Sequence, residues 1–90
     1  DVLTENKNNV YVRINLGKIY EKLGNYDKAI EFFSDSVGFI QDSLIRSDIF
    51  YSLGNCFYVK NEFSKAKIYL EKSIELNPNN AKTRRLLGTL

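Results

Sequence analysis

Between Val10 and Leu23 the apolar residues Val12, Leu16, Ile19, Tyr20 and Leu23 recur at i, i+4, i+7, i+8 and i+11, with polar residues filling most of the gaps. That spacing predicts one amphipathic helix. Gly24-Asn25 interrupts it, Asp27 sits where a cap or first-turn acid favours a new helix, and Ala29, Ile30, Phe33 and Val37 line that second helix. The plan then repeats. A helix is expected from about Asp48 to Lys60, a break at Asn61-Glu62, and a further helix from about Ser64 to Leu76. Pro78 stops it, and Asn80 is placed to cap another helix from Ala81. The chain is therefore expected to be all-α. Two helices joined by two or three residues must run antiparallel.

Sliding the chain by 37 residues against itself shows the repetition directly. Leu16-Gly17 falls on Leu53-Gly54, Tyr20 on Phe57, Tyr26 on Phe63, Lys28-Ala29 on Lys65-Ala66, Phe32 on Tyr69 and Ser36 on Ser73. Gly24 falls on Asn61, an exchange between two residue types that tolerate the positive φ of a helix-ending turn. A further slide of 34 brings Leu53-Gly54 onto Leu87-Gly88, and residues 6–17 align with 77–88. Repeated helix pairs of this kind stack as a right-handed α-solenoid in which each pair packs on its neighbours. The register divides the chain into 1–9, the end of a preceding repeat or a linker; 10–46, one repeat with a short insertion; 47–80, a second repeat; and 81–90, the first helix of a third. The chain is expected to be a window on a longer array.

These residues resemble the tetratricopeptide repeat (TPR). The family's Leu-Gly-x-x-Tyr stands here as Leu16-Gly17/Tyr20 and Leu53-Gly54/Phe57. Its second-helix Ala is Ala29 and Ala66, followed four residues on by Phe33 and Leu70. Its terminal Pro is Pro78, with Gln41 in that place in the first repeat, and its first-helix Trp is replaced by Arg13, Phe50 and Arg84. Three residues are inserted around Asp42–Arg46, roughly one helical turn, which either lengthens a helix or alters the superhelical step. Gly17 and Gly54 fall mid-helix, where glycine costs about 1 kcal/mol relative to alanine. A close helix crossing explains them, with Ala29 and Ala66 as the expected counterparts. Leu16, Tyr20, Phe33, Leu53, Phe57 and Leu70 are expected in the core, and Cys56 as a buried structural thiol.

Composition changes this picture little. The chain has 90 residues, 43% of them hydrophobic and 27% charged, which is a globular rather than a disordered balance. Its net charge of +2 hides a tilt, because residues 47–90 carry seven basic and four acidic groups against six and seven in residues 1–46. That favours an acidic partner over a basic one, and falls far short of a nucleic-acid footprint. No apolar run approaches a membrane span. The single cysteine excludes an internal disulfide and points to a cytoplasmic, or nuclear, setting.

Chemistry is harder to place than architecture. With no histidine, the usual general base and zinc ligand are missing, and no Gly-rich phosphate loop follows a strand. Glu31, Asp35, Glu71 and Glu75 read as solvated helix faces. The expectation is a non-enzyme without cofactor or metal.

In TPR proteins the first helix of each repeat lines a concave groove that holds a partner segment. The face opposite the apolar stripe supplies Tyr11, Ile14, Asn15, Lys18, Glu21 and Lys22, then Asp48, Tyr51, Ser52, Asn55, Tyr58 and Val59, then Lys82, Arg85 and Leu86. Tyr11, Asn15, Lys18, Lys22, Tyr51, Ser52, Asn55, Tyr58, Lys82 and Arg85 are the candidate partner contacts. Amides bond extended main chain, tyrosines offer apolar contact and cations meet acidic side chains. The resemblance does not extend to the co-chaperone clamp for a chaperone's C-terminal carboxylate. At its five positions stand Ile14, Lys18, Ser52, Lys82 and Leu86, of which Lys82 alone matches, and a carboxylate needs several directed donors.

The expected function is thus a protein–protein interaction scaffold. Its rival is a structural spacer or oligomerisation segment of a larger protein, including one with a catalytic domain elsewhere. The third helix ends at Leu86, Leu87 and Leu90 with no helix behind it in the register. Marginal stability, or homodimerisation through the ends, is expected in consequence.

Overall fold

The computed structural model describes the backbone of residues 2–90 and the side chains of residues 9–90. Five helices follow one another: α1 (Val2–Lys22), α2 (Tyr26–Val37), α3 (Ser43–Val59), α4 (Phe63–Leu76) and α5 (Ala81–Leu87). α1 packs on α2 and α3 on α4 as antiparallel pairs, α2 packs on α3 to join the pairs, and α5 docks on α4 and the start of α3. The result is a flat slab of 44 × 27 × 17 Å, with α1, α3 and α5 in one layer and α2 and α4 in the other. This is a helix-pair repeat solenoid.

The two pair-internal turns are copies of one another. Gly24 has φ +82° and Asn61 φ +66°. The Asn25 and Glu62 amides donate 2.9 Å to the carbonyls of Tyr20 and Phe57, and those of Gly24 and Asn61 donate 3.1 and 3.0 Å to Glu21 and Tyr58. Both helices thus end in a Schellman motif, which needs a left-handed residue at its corner. Asn25 rather than Asp27 then caps α2, its side chain accepting from the Lys28 amide at 3.3 Å, while Asp27 occupies the first turn. Asn80 caps α5 through the Thr83 amide, also at 3.3 Å.

Two boundaries depart from the periodicity. α1 runs unbroken from Val2 to Lys22, with no break at the positions that align with the joint between α4 and α5. Lys7 stands where Pro78 ends α4, and without proline nothing forces a stop there. α3 begins at Ser43 instead of about Asp48, because Asp42 caps it by accepting from the Leu44 and Ile45 amides at 2.9 and 3.2 Å. The inserted residues therefore lengthen a helix. Arg46 secures the joint from the other side by donating to the carbonyls of Val37 and Ile40 at 3.2 and 3.0 Å.

The core runs along the α1–α2–α3 seam through Val10, Ile14, Ala29, Phe33, Ile40, Ile49, Phe50, Leu53 and Cys56. Phe33, Leu53, Phe57 and Leu70 are buried as expected, and Leu16 and Tyr20 are half-buried. Aromatic pairs repeat with the sequence: Tyr20 stacks on Phe32 at 5.6 Å and 5°, and Phe57 on Tyr69 at 5.4 Å and 4°.

Two expectations are corrected. Gly17 makes room for the Phe33 ring rather than for Ala29, since a Cβ there would lie 2.8 Å from the ring. Gly54 makes room for Leu70, with the Ala66 carbonyl the next neighbour. The α1 stripe is also not buried as a whole. Val12, Ile19 and Leu23 are 54%, 52% and 73% exposed, whereas Ile14, expected on the polar face, is only 6% exposed. α1 carries apolar side chains on two sides, and α2 covers only the side of Val10, Ile14 and Gly17.

A buried hydroxyl cluster fastens α3, α4 and α5. Ser47 Oγ donates to the Ser73 carbonyl and Ser73 Oγ to the Ser47 carbonyl, both at 2.8 Å. With each serine proton committed, Thr83 Oγ1 donates to Ser73 Oγ at 2.7 Å. Asn80 Nδ2 donates to Ser47 Oγ at 3.0 Å and to Asp48 Oδ1 at 3.1 Å. Every buried side-chain polar atom among the described residues has a partner. An unmade bond at such depth costs about 1–3 kcal/mol, so the set holds only when complete.

Candidate concave binding trough

The layer formed by α1, α3 and α5 leaves a trough between its helices, with two adjoining clefts. The first, of about 230 Å³, lies between α1 and α3 and is lined by Tyr11, Ile14, Asn15, Lys18, Phe33, Ile45, Asp48, Ile49 and Ser52. The second, of about 310 Å³, is lined by Lys18, Glu21, Lys22, Asp48, Tyr51, Ser52 and Lys82. They share Lys18, Asp48 and Ser52 and so lie side by side across the three helices.

Helical spacing explains why these side chains converge. Tyr11, Asn15, Lys18 and Lys22 step along α1 at i, i+4, i+7 and i+11, and Asp48, Tyr51, Ser52 and Asn55 along the facing side of α3 at i, i+3, i+4 and i+7. Of the ten candidate contacts, Tyr11, Asn15, Lys18, Lys22, Tyr51, Ser52 and Lys82 line the clefts. Asn55 is committed instead to the wall, its amide donating to Glu21 Oε2 at 2.8 Å and so tying α3 to α1. Tyr58 turns toward α4, its ring meeting Phe63 edge-on at 5.4 Å. Arg85 lines neither cleft but lies near enough to act on Tyr51. Burial pushes the Tyr51 hydroxyl above its ordinary pKa and the Glu21 carboxylate adds to this, while Arg85 pulls it down.

Ile45 and Ile49 join the trough although the sequence pattern did not mark them. Ile49 lies on the core side of α3 and reaches the cleft floor. Ile45 belongs to the inserted turn, whose helical continuation is the only signal that would have placed it.

The cleft carboxylates have amide partners, Asp48 bonding Asn80 and Glu21 bonding Asn55. The ion pairs among the described residues lie elsewhere, joining Lys60 to Asp27 and Glu62 and Lys65 to Glu62. Cys56 lies behind the trough, fully buried. Burial first, and Glu21 second, push its thiol up to about 12, against the opposing charge of Lys60. Among the described residues no group of three His, Cys, Asp or Glu side chains gathers to hold a metal. No helix among them is long and apolar enough to cross a membrane.

The sequence profile of the tetratricopeptide repeat matches residues 10–37 and 47–80. The chain belongs to the tetratricopeptide repeat family. The TPR spans coincide with the α1–α2 pair from Val10 and with α3 from Ser47 through α4 to the cap of α5, leaving the inserted turn outside both.

Two curated proteins are similar. One is the outer dynein arm-docking complex subunit 4 of Xenopus laevis, 27% identical over 66% of this chain and 11% of that protein. The other is the photosystem I assembly protein Ycf3 of Acaryochloris marina, 36% identical over 62% of this chain and 34% of that protein. The chain spans about a tenth and a third of these relatives. TPR membership and this likeness support a protein-interaction role in general terms.

Proposed function

We propose that this TPR segment is a non-catalytic scaffold module that holds a partner segment in the trough of α1, α3 and α5. The observation that carries this reading is the adjacency of the two clefts, whose lining includes the exposed side chains of Tyr11, Asn15, Lys18, Lys22 and Lys82. Both relatives, by name a docking complex subunit and an assembly protein, fit a scaffold role. A cytoplasmic or nuclear setting belongs to the reading, supported by a single cysteine, Cys56, that forms no disulfide within the chain. The chaperone-tail clamp does not: Ile14 occupies one of its positions and is buried.

A photo-crosslinking amino acid at Lys22, in the trough, and at Lys67, on the exposed side of α4, tests this reading in source-cell lysate. The trough position should capture specific proteins that the α4 position does not. Capture of the same proteins from both, or from Lys67 alone, would remove the trough as the site.

A second reading, homo-association, has an observation of its own. In the 37-residue register Val12 and Ile19 match Ile49 and Cys56, which are 3% and 0% exposed because α2 covers them. On α1 those same positions are apolar and half-exposed, a surface suited to the second-helix face of another copy. Sedimentation velocity decides it. Association that Ile19→Glu abolishes without loss of helicity supports this reading, and a monomer at all concentrations ends it.

A further inference from the structure

The trough has a chemical direction. At one end, between α1 and α3, Tyr11, Ile14, Phe33, Ile45 and Ile49 form the apolar part of a wall completed by Asn15, Lys18, Asp48 and Ser52, around a volume of about 230 Å³ with room for one large side chain. At the other end stand Lys22 and Lys82, with Arg85 beside them and Lys18 at the boundary, lining both clefts. None of these four cations lies within 4.0 Å of a carboxylate among the described residues. The trough's own carboxylates, Asp48 and Glu21, are drawn against the walls by the amides of Asn80 and Asn55. The local balance is thus four cations to two carboxylates, with the cations on flexible, exposed stems and the carboxylates fixed. Screening over about 8 Å at physiological salt confines the resulting attraction to groups that enter the trough itself.

Building on the trough reading, we infer that its occupant is an acidic peptide segment with an apolar anchor. One large aliphatic or aromatic side chain fills the Tyr11–Ile14–Ile45–Ile49 cleft, and Asp or Glu side chains next to it pair with Lys18, Lys22 and Lys82. A basic segment meets uncompensated repulsion at the lysine end. A neutral one leaves the lysines with water and gains only the anchor. A nucleic acid strand would engage the lysines, but its regularly spaced phosphates would also have to pass Asp48 and Glu21, and it offers no aliphatic side chain to the apolar cleft. Each exposed pair contributes about 1.5–5-fold in affinity, so three lysines together are worth on the order of tenfold.

The test is a selection of random peptides displayed on their own messenger RNA against the immobilised 90-residue chain, followed by affinity measurements on the winners. Binding is compared for wild type, for Lys18→Gln/Lys22→Gln/Lys82→Gln, for the matching triple arginine variant and for Tyr11→Ala/Ile45→Ser. Equal helicity of all four is established first by circular dichroism. The enriched peptides should carry Asp or Glu clustered beside one large apolar residue. They should weaken about tenfold against the glutamine variant, recover with arginine, and weaken against Tyr11→Ala/Ile45→Ser. Peptides without acidic enrichment that still depend on Tyr11 and Ile45 would overturn the acidic occupant while leaving the trough as a binding site. No enrichment, or peptides indifferent to both sets of substitutions, would overturn the trough reading and this inference with it. A short oligothymidylate that matches the best peptides and loses binding steeply with salt would replace the peptide by a nucleic acid strand.

Discussion

Gly54 lies so close beneath Leu70 that a methyl group on its Cα would stand 2.7 Å from the Leu70 side chain, and Leu70 is fully buried with nowhere to turn. Gly54→Ala therefore sets two effects against each other. Helix propensity favours alanine by about 1 kcal/mol, while overpacking a closed core costs about 1–3 kcal/mol. The steric cost wins. A net loss of about 1–2 kcal/mol should lower the melting temperature by roughly 5–15 °C. Adding Leu70→Val, which shortens the obstructing side chain, should recover part of it. A stabilised Gly54→Ala protein would show that the helices can move apart freely.

The hydroxyl cluster should behave as a unit. Ser73→Ala removes the acceptor of Thr83 and the partner of the Ser47 carbonyl, and should cost about 1–3 kcal/mol in urea unfolding. Ser47→Ala should cost a similar amount, and the double variant clearly less than the sum, because the second loss falls on a set already broken. Additive losses would mean that the bonds are independent.

Asp42→Ala should cost about 1 kcal/mol through loss of the α3 cap. Its local signature is sharper. Amide exchange should accelerate at Leu44 and Ile45, whose N–H groups Asp42 accepts, while Leu53 in mid-helix keeps its protection. Uniform acceleration along α3 would show that the inserted turn is not a separate opening unit.

Cys56 should resist alkylation in the folded chain at neutral pH, since its thiol is fully buried and titrates near 12. The same shift sets a pH dependence. The unfolded chain releases this proton at the ordinary thiol value of 9.0, whereas the folded chain holds it to about 12. Between those values the unfolded state binds fewer protons, so stability falls as pH rises; below pH 9 the thiol adds no slope. Urea melts on either side of the ordinary thiol range should show a smaller loss for Cys56→Ala than for wild type. Equal losses would place the alkaline sensitivity elsewhere.

Particular residues show what a linear pattern carries and what it does not. The Gly24–Asn61 correspondence foretold two left-handed corners, because backbone geometry at a helix end is a local property. The glycines announced close crossings but not their partners: Phe33 and Leu70 fill the space because they reach further than Ala29 and Ala66. Periodicity likewise marked the Val12–Ile19–Leu23 stripe as apolar, but it cannot say which apolar side of a two-sided helix meets a neighbour. The hydroxyl cluster left one trace, Ser36 falling on Ser73. Only Ser73 joins the cluster, while Ser36 bonds back to the Phe32 carbonyl at 2.7 Å within its own helix. Seven of the ten trough candidates could be placed from helical spacing alone. Asn55 and Tyr58 could not, since their commitments to Glu21 and Phe63 depend on how far apart the helices settle.

The turn from Ser43 to Arg46 has a consequence for how such arrays diversify. It sits at a joint between repeat units, outside both matched spans, yet it delivers Ile45 to the wall of the trough and Arg46 to the end of α2. A few residues added at a joint can thus reshape the wall of the trough while the glycines, stacked rings and buried serines of the repeats keep their register. The trough wall of this chain can be edited at its seams, and the repeats themselves need not change.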